Sequence, residues 1–242
     1  MRTAVFLISL ALAGSVQAAD GFAVGHRTES GEGEAARPMS WPYGMLQTAR
    51  AAFDDRVAAR APGASLRFRL PKTDPAEPGI RVELVTADQR LALPMVANTA
   101  FALVPDAQVV DGEARVLVNR HFRQGEYNHP NVEVRSPGLP QGVRRVGDLR
   151  LACEAQVAMA KAEGLKFRAV LATVSLFGFD LCKKLEIAKF DAPATPWDSV
   201  TIEDGAHRLV LPKSQRDGPQ LGDKTWSDDA RITYTMGAEA AP

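Results

Sequence analysis

The sequence predicts an α+β fold: antiparallel, β-sandwich-like strands with an N-terminal amphipathic helix and a disulfide-stapled helical segment. Three observations lead there. Between Pro42 and Ala61, Tyr43, Leu46, Ala49, Phe53 and Val57 recur every three or four positions with Gln47, Arg50, Asp54 and Arg56 between them, the pattern of a helix with one buried face. From Ser65 to Arg120 the period drops to two, as Leu66, Phe68 and Leu70 alternate with Arg67 and Arg69, and Ile80, Val82 and Leu84 alternate with Arg81 and Glu83. The third observation is a pair of cysteines, Cys153 and Cys182, in a chain that opens with an export signal.

That signal occupies residues 1–18. Arg2, the apolar run Ala4–Ala13 and the small-residue end Val16-Gln17-Ala18 have the three-part layout of a cleaved secretory leader, so the mature chain is expected to begin at Ala19 or Asp20 in the periplasm. The apolar run is about half the length a helix needs to cross a bilayer, and no later segment is long and apolar enough, so no transmembrane anchoring is expected. Residues 19–41 are rich in Gly, Glu and Ser without periodicity and read as a flexible lead. Gly31-Glu-Gly33-Glu-Ala-Ala36 inside it matches a dinucleotide fingerprint in letters only, because no strand precedes it.

The helix-plus-sandwich region spans residues 42–120. Pro42 suits the first helical turn, Pro62-Gly63 ends the helix, and the runs Leu91–Val96, Phe101–Val104 and Ala114–Val118 complete the strands, with Asp111-Gly112 as one turn between them. Residues 121–147 are polar and punctuated by Pro and Gly, and read as an irregular connection. A last region, 148–236, combines helices and strands and is open to being one domain with 42–120. Within it Asp148 is placed to cap a helix running through Lys161 with Gly164 as its stop. Leu149, Leu151, Cys153, Ala155, Val157 and Met159 also alternate as a strand would, but the Ala, Glu, Gln, Met and Lys content favours the helix. A second helix from about Lys166 to Phe177 would make a hairpin whose ends the cysteines staple. Leu185–Phe190, Ser199–Ile202, Arg208–Leu211 and Ala230–Thr235 read as strands, with Glu203-Asp-Gly-Ala206 as a hairpin turn and Gly237–Pro242 as a tail.

Composition narrows the function more than it defines it. Lys plus Arg number 29 and Asp plus Glu number 29, so there is no long-range field to gather nucleic acid, and no nucleic-acid partner is expected. An apolar fraction of 45% is ordinary for a packed core. Pairing of Cys153 with Cys182 would close a loop of about thirty residues and stabilise the fold by about 3.5 kcal/mol through chain entropy; buried thiols and a redox pair are the alternatives.

The run Pro140-Gln-Gly-Val-Arg-Arg-Val-Gly-Asp-Leu-Arg-Leu-Ala-Cys153, preceded by Val118-Asn-Arg120 and followed by Trp226-Ser-Asp-Asp229, resembles an uncharacterised family of exported proteobacterial proteins. The likeness covers most of the mature chain and transfers no catalytic residue. By strand spacing alone, the early strands look like the small sandwiches of carboxypeptidase-regulatory and transthyretin-like modules.

The chemistry-bearing residues form loose groups. There is no G-x-S-x-G elbow, H-E-x-x-H pair, P-loop or paired C-x-x-C motif, and no cofactor is implied. His121, Glu126 and His129 are the nearest approach to a metal constellation, since two imidazoles and a carboxylate can hold zinc with an open position; the alternative is an exposed polar loop. Arg144 and Arg145 beside Asp148 could bind a carboxylate, or lie on a salt-bridged surface. Asp217, Asp223, Asp228 and Asp229 gather around Trp226, where oxygen-rich loops could hold calcium and an exposed indole could stack on a sugar; the alternative is turn residues around a core tryptophan. Two function classes follow: a non-catalytic periplasmic module that binds an envelope component or protein partner, and an exported metal-dependent hydrolase using His121, Glu126 and His129.

Overall fold

The computed structural model describes residues 38–71, 79–96, 99–104, 113–121, 129–140, 142–163, 180–190, 192–193, 197–215 and 217–237. The leader, the Gly31–Ala36 match, the second helix of the hairpin (166–177) and Glu126 lie outside them. Within them the chain is α+β, its strands paired in three four-stranded antiparallel sheets. The first contains β1 (Pro38–Pro42), β7 (Arg115–His121), β3 (Val82–Val85) and β4 (Arg90–Ala92), in that order. The second runs β5 (Met95–Val96), β6 (Ala100–Phe101), β2 (Ser65–Arg69) and β8 (Asn131–Arg135). The third runs β11 (His207–Pro212), β10 (Trp197–Asp204), β12 (Arg231–Met236) and β9 (Val143–Arg145).

The helical period between Pro42 and Ala61 becomes α1 (Tyr43–Asp54) and the single turn α2 (Val57–Arg60). Pro42 caps α1 without a side-chain hydrogen bond, and the first helical amide is satisfied by tertiary structure instead, Tyr43 N–H donating to the Ala114 carbonyl at 2.8 Å. Its apolar face, with Leu46, Ala49 and Phe53 buried, packs on α3 (Val146–Ala162).

Two cores share α3. Leu151, Ala152, Ala155 and Met159 join α1 and the first two sheets around Trp41, Phe68 and Phe101. Val146, Leu149 and Cys153 face the other way, into a second core with Val200, Ile202, Leu221, Trp226 and Ile232. A helix buried on opposite sides carries apolar residues at short intervals all along its length, which is why the sequence of α3 alternates like a strand.

Several expectations need correction. The flexible lead expected over residues 19–41 is contradicted at its end, where Pro38–Pro42 pairs with β7 and buries Met39 and Trp41; residues 19–37 lie outside the described residues. The connection 121–147 is not irregular throughout: Asn131–Arg135 pairs with β2 along its length and Val143–Arg145 pairs with β12. Both strands hide among Pro and Gly, and they are specified by pairing with distant strands rather than by local pattern. Asp148 is not the cap of α3; the helix starts at Val146, and Asp148 sits in the first turn, where a carboxylate favours the helix dipole. Leu185–Phe190 is no strand. Its apolar residues follow the short α4 (Leu181–Lys184) in successive turns, with a single bridge between Glu186 and Gln220. The hairpin turn falls at Gly205-Ala206, where Gly205 takes φ 59, a left-handed conformation that favours glycine.

Cys153 and Cys182 form a disulfide, with Cα atoms 5.8 Å apart, joining α3 to α4. No helix among the described residues is long and apolar enough to cross a membrane.

Candidate functional site

The strand holding Arg144 and Arg145 sends the two guanidinium groups to different places, as the two-residue period of a strand requires. Arg144 is buried, donating from Nη2 to the Val134 carbonyl at 3.2 Å, with Nη1 3.6 Å from Glu133 Oε1. Arg145 donates to Ser136 Oγ at 3.0 Å and pairs with Asp229. Asp148 is fully buried and accepts from Ser136 twice, from its amide at 3.0 Å and from its hydroxyl at 2.6 Å. These groups therefore tie β8, β9 and α3 together. Burial pushes the Glu133 carboxyl up, but the Arg135 hydrogen bond and the charges of Arg144, Arg69 and Arg135 outweigh it and hold the group below its ordinary value.

Asp228 belongs to a second network centred on a residue that the sequence did not single out. Arg150, on α3, donates from Nη1 to Asp228 Oδ1 at 2.6 Å, from Nε to the Leu221 carbonyl at 2.7 Å, and from Nη2 to the Asp223 and Trp226 carbonyls. Arg60 pairs with Glu154 at 3.0 Å and approaches Asp228 at 3.7 Å. One arginine thus organises the whole loop 221–228. Its signal in sequence is a single charge between Leu149 and Leu151, indistinguishable there from a solvent-facing helical residue. Trp226 is only 2% exposed and stacks on His207 with ring centroids 4.2 Å apart. Asp223 accepts from the Thr225 amide, a hydrogen bond that keeps its carboxyl below the usual range.

The two histidines of the candidate metal set lie at or beside strand ends. His121 closes β7 and is exposed; His129, just before β8, has Nε2 2.8 Å from Glu163 Oε2. Among the described residues no three His, Cys, Asp or Glu side chains gather as a metal set, and Glu126 falls outside those residues.

A concave feature lies elsewhere, against the third sheet. A hollow of about 220 Å³ has Val200, Leu211 and Trp197 as an apolar lining, and Glu186, Lys213 and Asp217 at its polar edge. The β10–β11 hairpin creates it: the register Ser199↔Pro212 continues into a Lys213 N–H to Asp198 carbonyl bond of 2.8 Å, which sets Lys213 Nζ 5.4 Å from the centre of the Trp197 ring. Extending the hairpin register from Gly205 brings these residues together, so the hairpin signal in the sequence contained the pair. The opposite wall, on residues 186–189, is held by an Ile187 N–H to Pro219 carbonyl bond and by Tyr234 Oη donating to the Ala188 carbonyl at 3.1 Å.

Comparisons with protein-family models, with curated proteins and with solved structures find no match to this chain.

Proposed function

We propose that this chain is an exported periplasmic module of the cell envelope, disulfide-stapled, that binds or supports an envelope component rather than catalysing a reaction, and that it belongs with the exported proteobacterial proteins it resembles. The observation that carries the reading is the placement of the charged groups. Arg60, Arg144, Arg145 and Arg150 face Glu154, Glu133, Asp229 and Asp228, each pair bridging separate elements, which is what a rigid binding or structural body needs. A cystine is the form expected in an oxidising compartment. The sandwich-like arrangement of the first two sheets is part of the same proposal, supported by Trp41 of β1 stacking on Phe101 of β6 with centroids 6.3 Å apart.

Fractionation of cells expressing the full chain tests the compartment: a product beginning at Ala19 or Asp20 is expected in the periplasmic extract, and an intact Met1 in a cytoplasmic pool would overturn it. Elemental analysis and chelator-dependent melting of the purified mature protein test the class. Stoichiometric zinc that disappears in His121→Ala and His129→Ala would replace the module by a metal-dependent hydrolase built on His121, Glu126 and His129.

A further inference from the structure

We infer that the hollow beside Trp197 is a binding site for an amino-acid-sized zwitterion with an apolar side chain; the inference rests on the reading of the chain as a binding module and specifies its ligand. Size comes first. About 220 Å³ is smaller than the roughly 300–1,000 Å³ of sites that hold drug-sized ligands, and suits a single small molecule. Val200 and Leu211, both buried, line it together with Trp197, an apolar surface that suits an apolar ligand body.

Charge selects the rest. The rim carries Lys189 and Lys213 against Glu186 and Asp217, a balance that favours neither a net anion nor a net cation. Lys189 is held by Glu186, Nζ to Oε1 at 3.0 Å. Lys213 lies against the Trp197 ring with no carboxylate partner among the described residues, and the Asp217 carboxylate likewise has no cation there. Among the described rim residues this leaves one cation and one anion outside the Lys189–Glu186 pair, which match a carboxylate and an ammonium on one small molecule, the carboxylate toward Lys213 and the ammonium toward Asp217. Gly218 keeps the hollow open: a Cβ there would come within 3.3 Å of Leu211 Cδ1 and 3.6 Å of Glu186 Oε2. The walls are already fixed by the hairpin and by the bonds of residues 187 and 188, so little ordering is left to oppose binding.

The test uses mature, disulfide-bonded protein and L-leucine, with 4-methylpentanoate and 3-methylbutylamine as analogues that each lack one charge. Calorimetry measures affinity. Tryptophan fluorescence reports the site, because Trp41 and Trp226 are buried and Trp197 lines the hollow. Saturable binding of L-leucine is expected, weakened about tenfold or more in Lys213→Gln, in Asp217→Asn and for either analogue, as the loss of one charge-assisted hydrogen bond predicts. Gly218→Leu should abolish it. Lys213 and Asp217 are exposed, so their variants fold, and circular dichroism checks this. No binding of L-leucine, or binding indifferent to both rim variants, would overturn the inference; a correctly processed periplasmic protein that fails this titration leaves the compartment reading standing.

Discussion

Two glycines in helices show how far single positions differ. Gly147, in the first turn of α3, has no room for a side chain: a Cβ would lie 2.5 Å from the Arg60 carbonyl oxygen and 2.9 Å from the Asp228 carbonyl oxygen. Both obstacles are backbone, so Gly147→Ala must push α3 from α2 and from loop 221–228, and we expect a loss of about 1–3 kcal/mol. Gly44, in α1, meets nothing within 4 Å, and Gly44→Ala should be neutral or stabilise by up to about 1 kcal/mol through helix propensity. Urea unfolding of both variants checks the pair, and equal effects would contradict the packing described. Arg150→Met is expected to cost about 3–5 kcal/mol, because it leaves Asp228 without its closest cation and three loop carbonyls without their donor. An Arg150→Met protein with wild-type stability would show that the network contributes nothing net.

At the scale of elements, α3 is the member on which the others depend. It contributes to both cores, carries Arg150, Glu154 and Asp148, and holds α4 through Cys153. The staple has a local consequence. Cys182 is followed by the chain that pairs with loop 219–222, through the Leu221 N–H to Leu185 carbonyl bond of 2.7 Å and the Gly222 N–H to Lys183 carbonyl bond of 3.1 Å. Cys153→Ala/Cys182→Ala should therefore lower stability by about 2–4 kcal/mol and raise amide exchange first in residues 181–189 and 219–222. Uniform acceleration across all three sheets would mean that α4 is held by other contacts.

Over the whole molecule, acid should be the destabilising direction. The Glu133, Asp180, Asp204 and Asp223 carboxyls all sit below their ordinary values, so the folded state binds protons more weakly than the unfolded chain. Their contribution is fully present above the unfolded carboxylate range near pH ~4 and is lost as pH falls through the lowered folded values. Glu133 is the buried member, surrounded by Arg135, Arg144 and Arg69, and Glu133→Gln should flatten the fall in melting temperature between neutral and acid pH. A variant with the wild-type acid slope would assign that fall to other groups.

The amphipathic period after Pro42, the alternating strands from Ser65, the hairpin at Gly205 and the cysteine pair were all legible along the chain, because each depends on neighbours within a few residues or on one chemical rule about thiols. β1, β8 and β9 were not, since Pro38–Pro42, Asn131–Arg135 and Val143–Arg145 become strands only when β7, β2 and β12 supply their hydrogen bonds. The candidate site divides the same way. Lys213 and Trp197 follow from extending a hairpin that the sequence announces, whereas Glu186 reaches the same hollow through turns fastened to residues 219–222. Arg144 and Arg145 look equivalent in sequence, and strand geometry alone buries one and sends the other to Asp229. By itself the sequence determined which segments could bury an apolar face and which residues could carry charge; the tertiary structure decided which charges meet, because an ion pair depends on distances of a few ångströms between elements that are tens of residues apart.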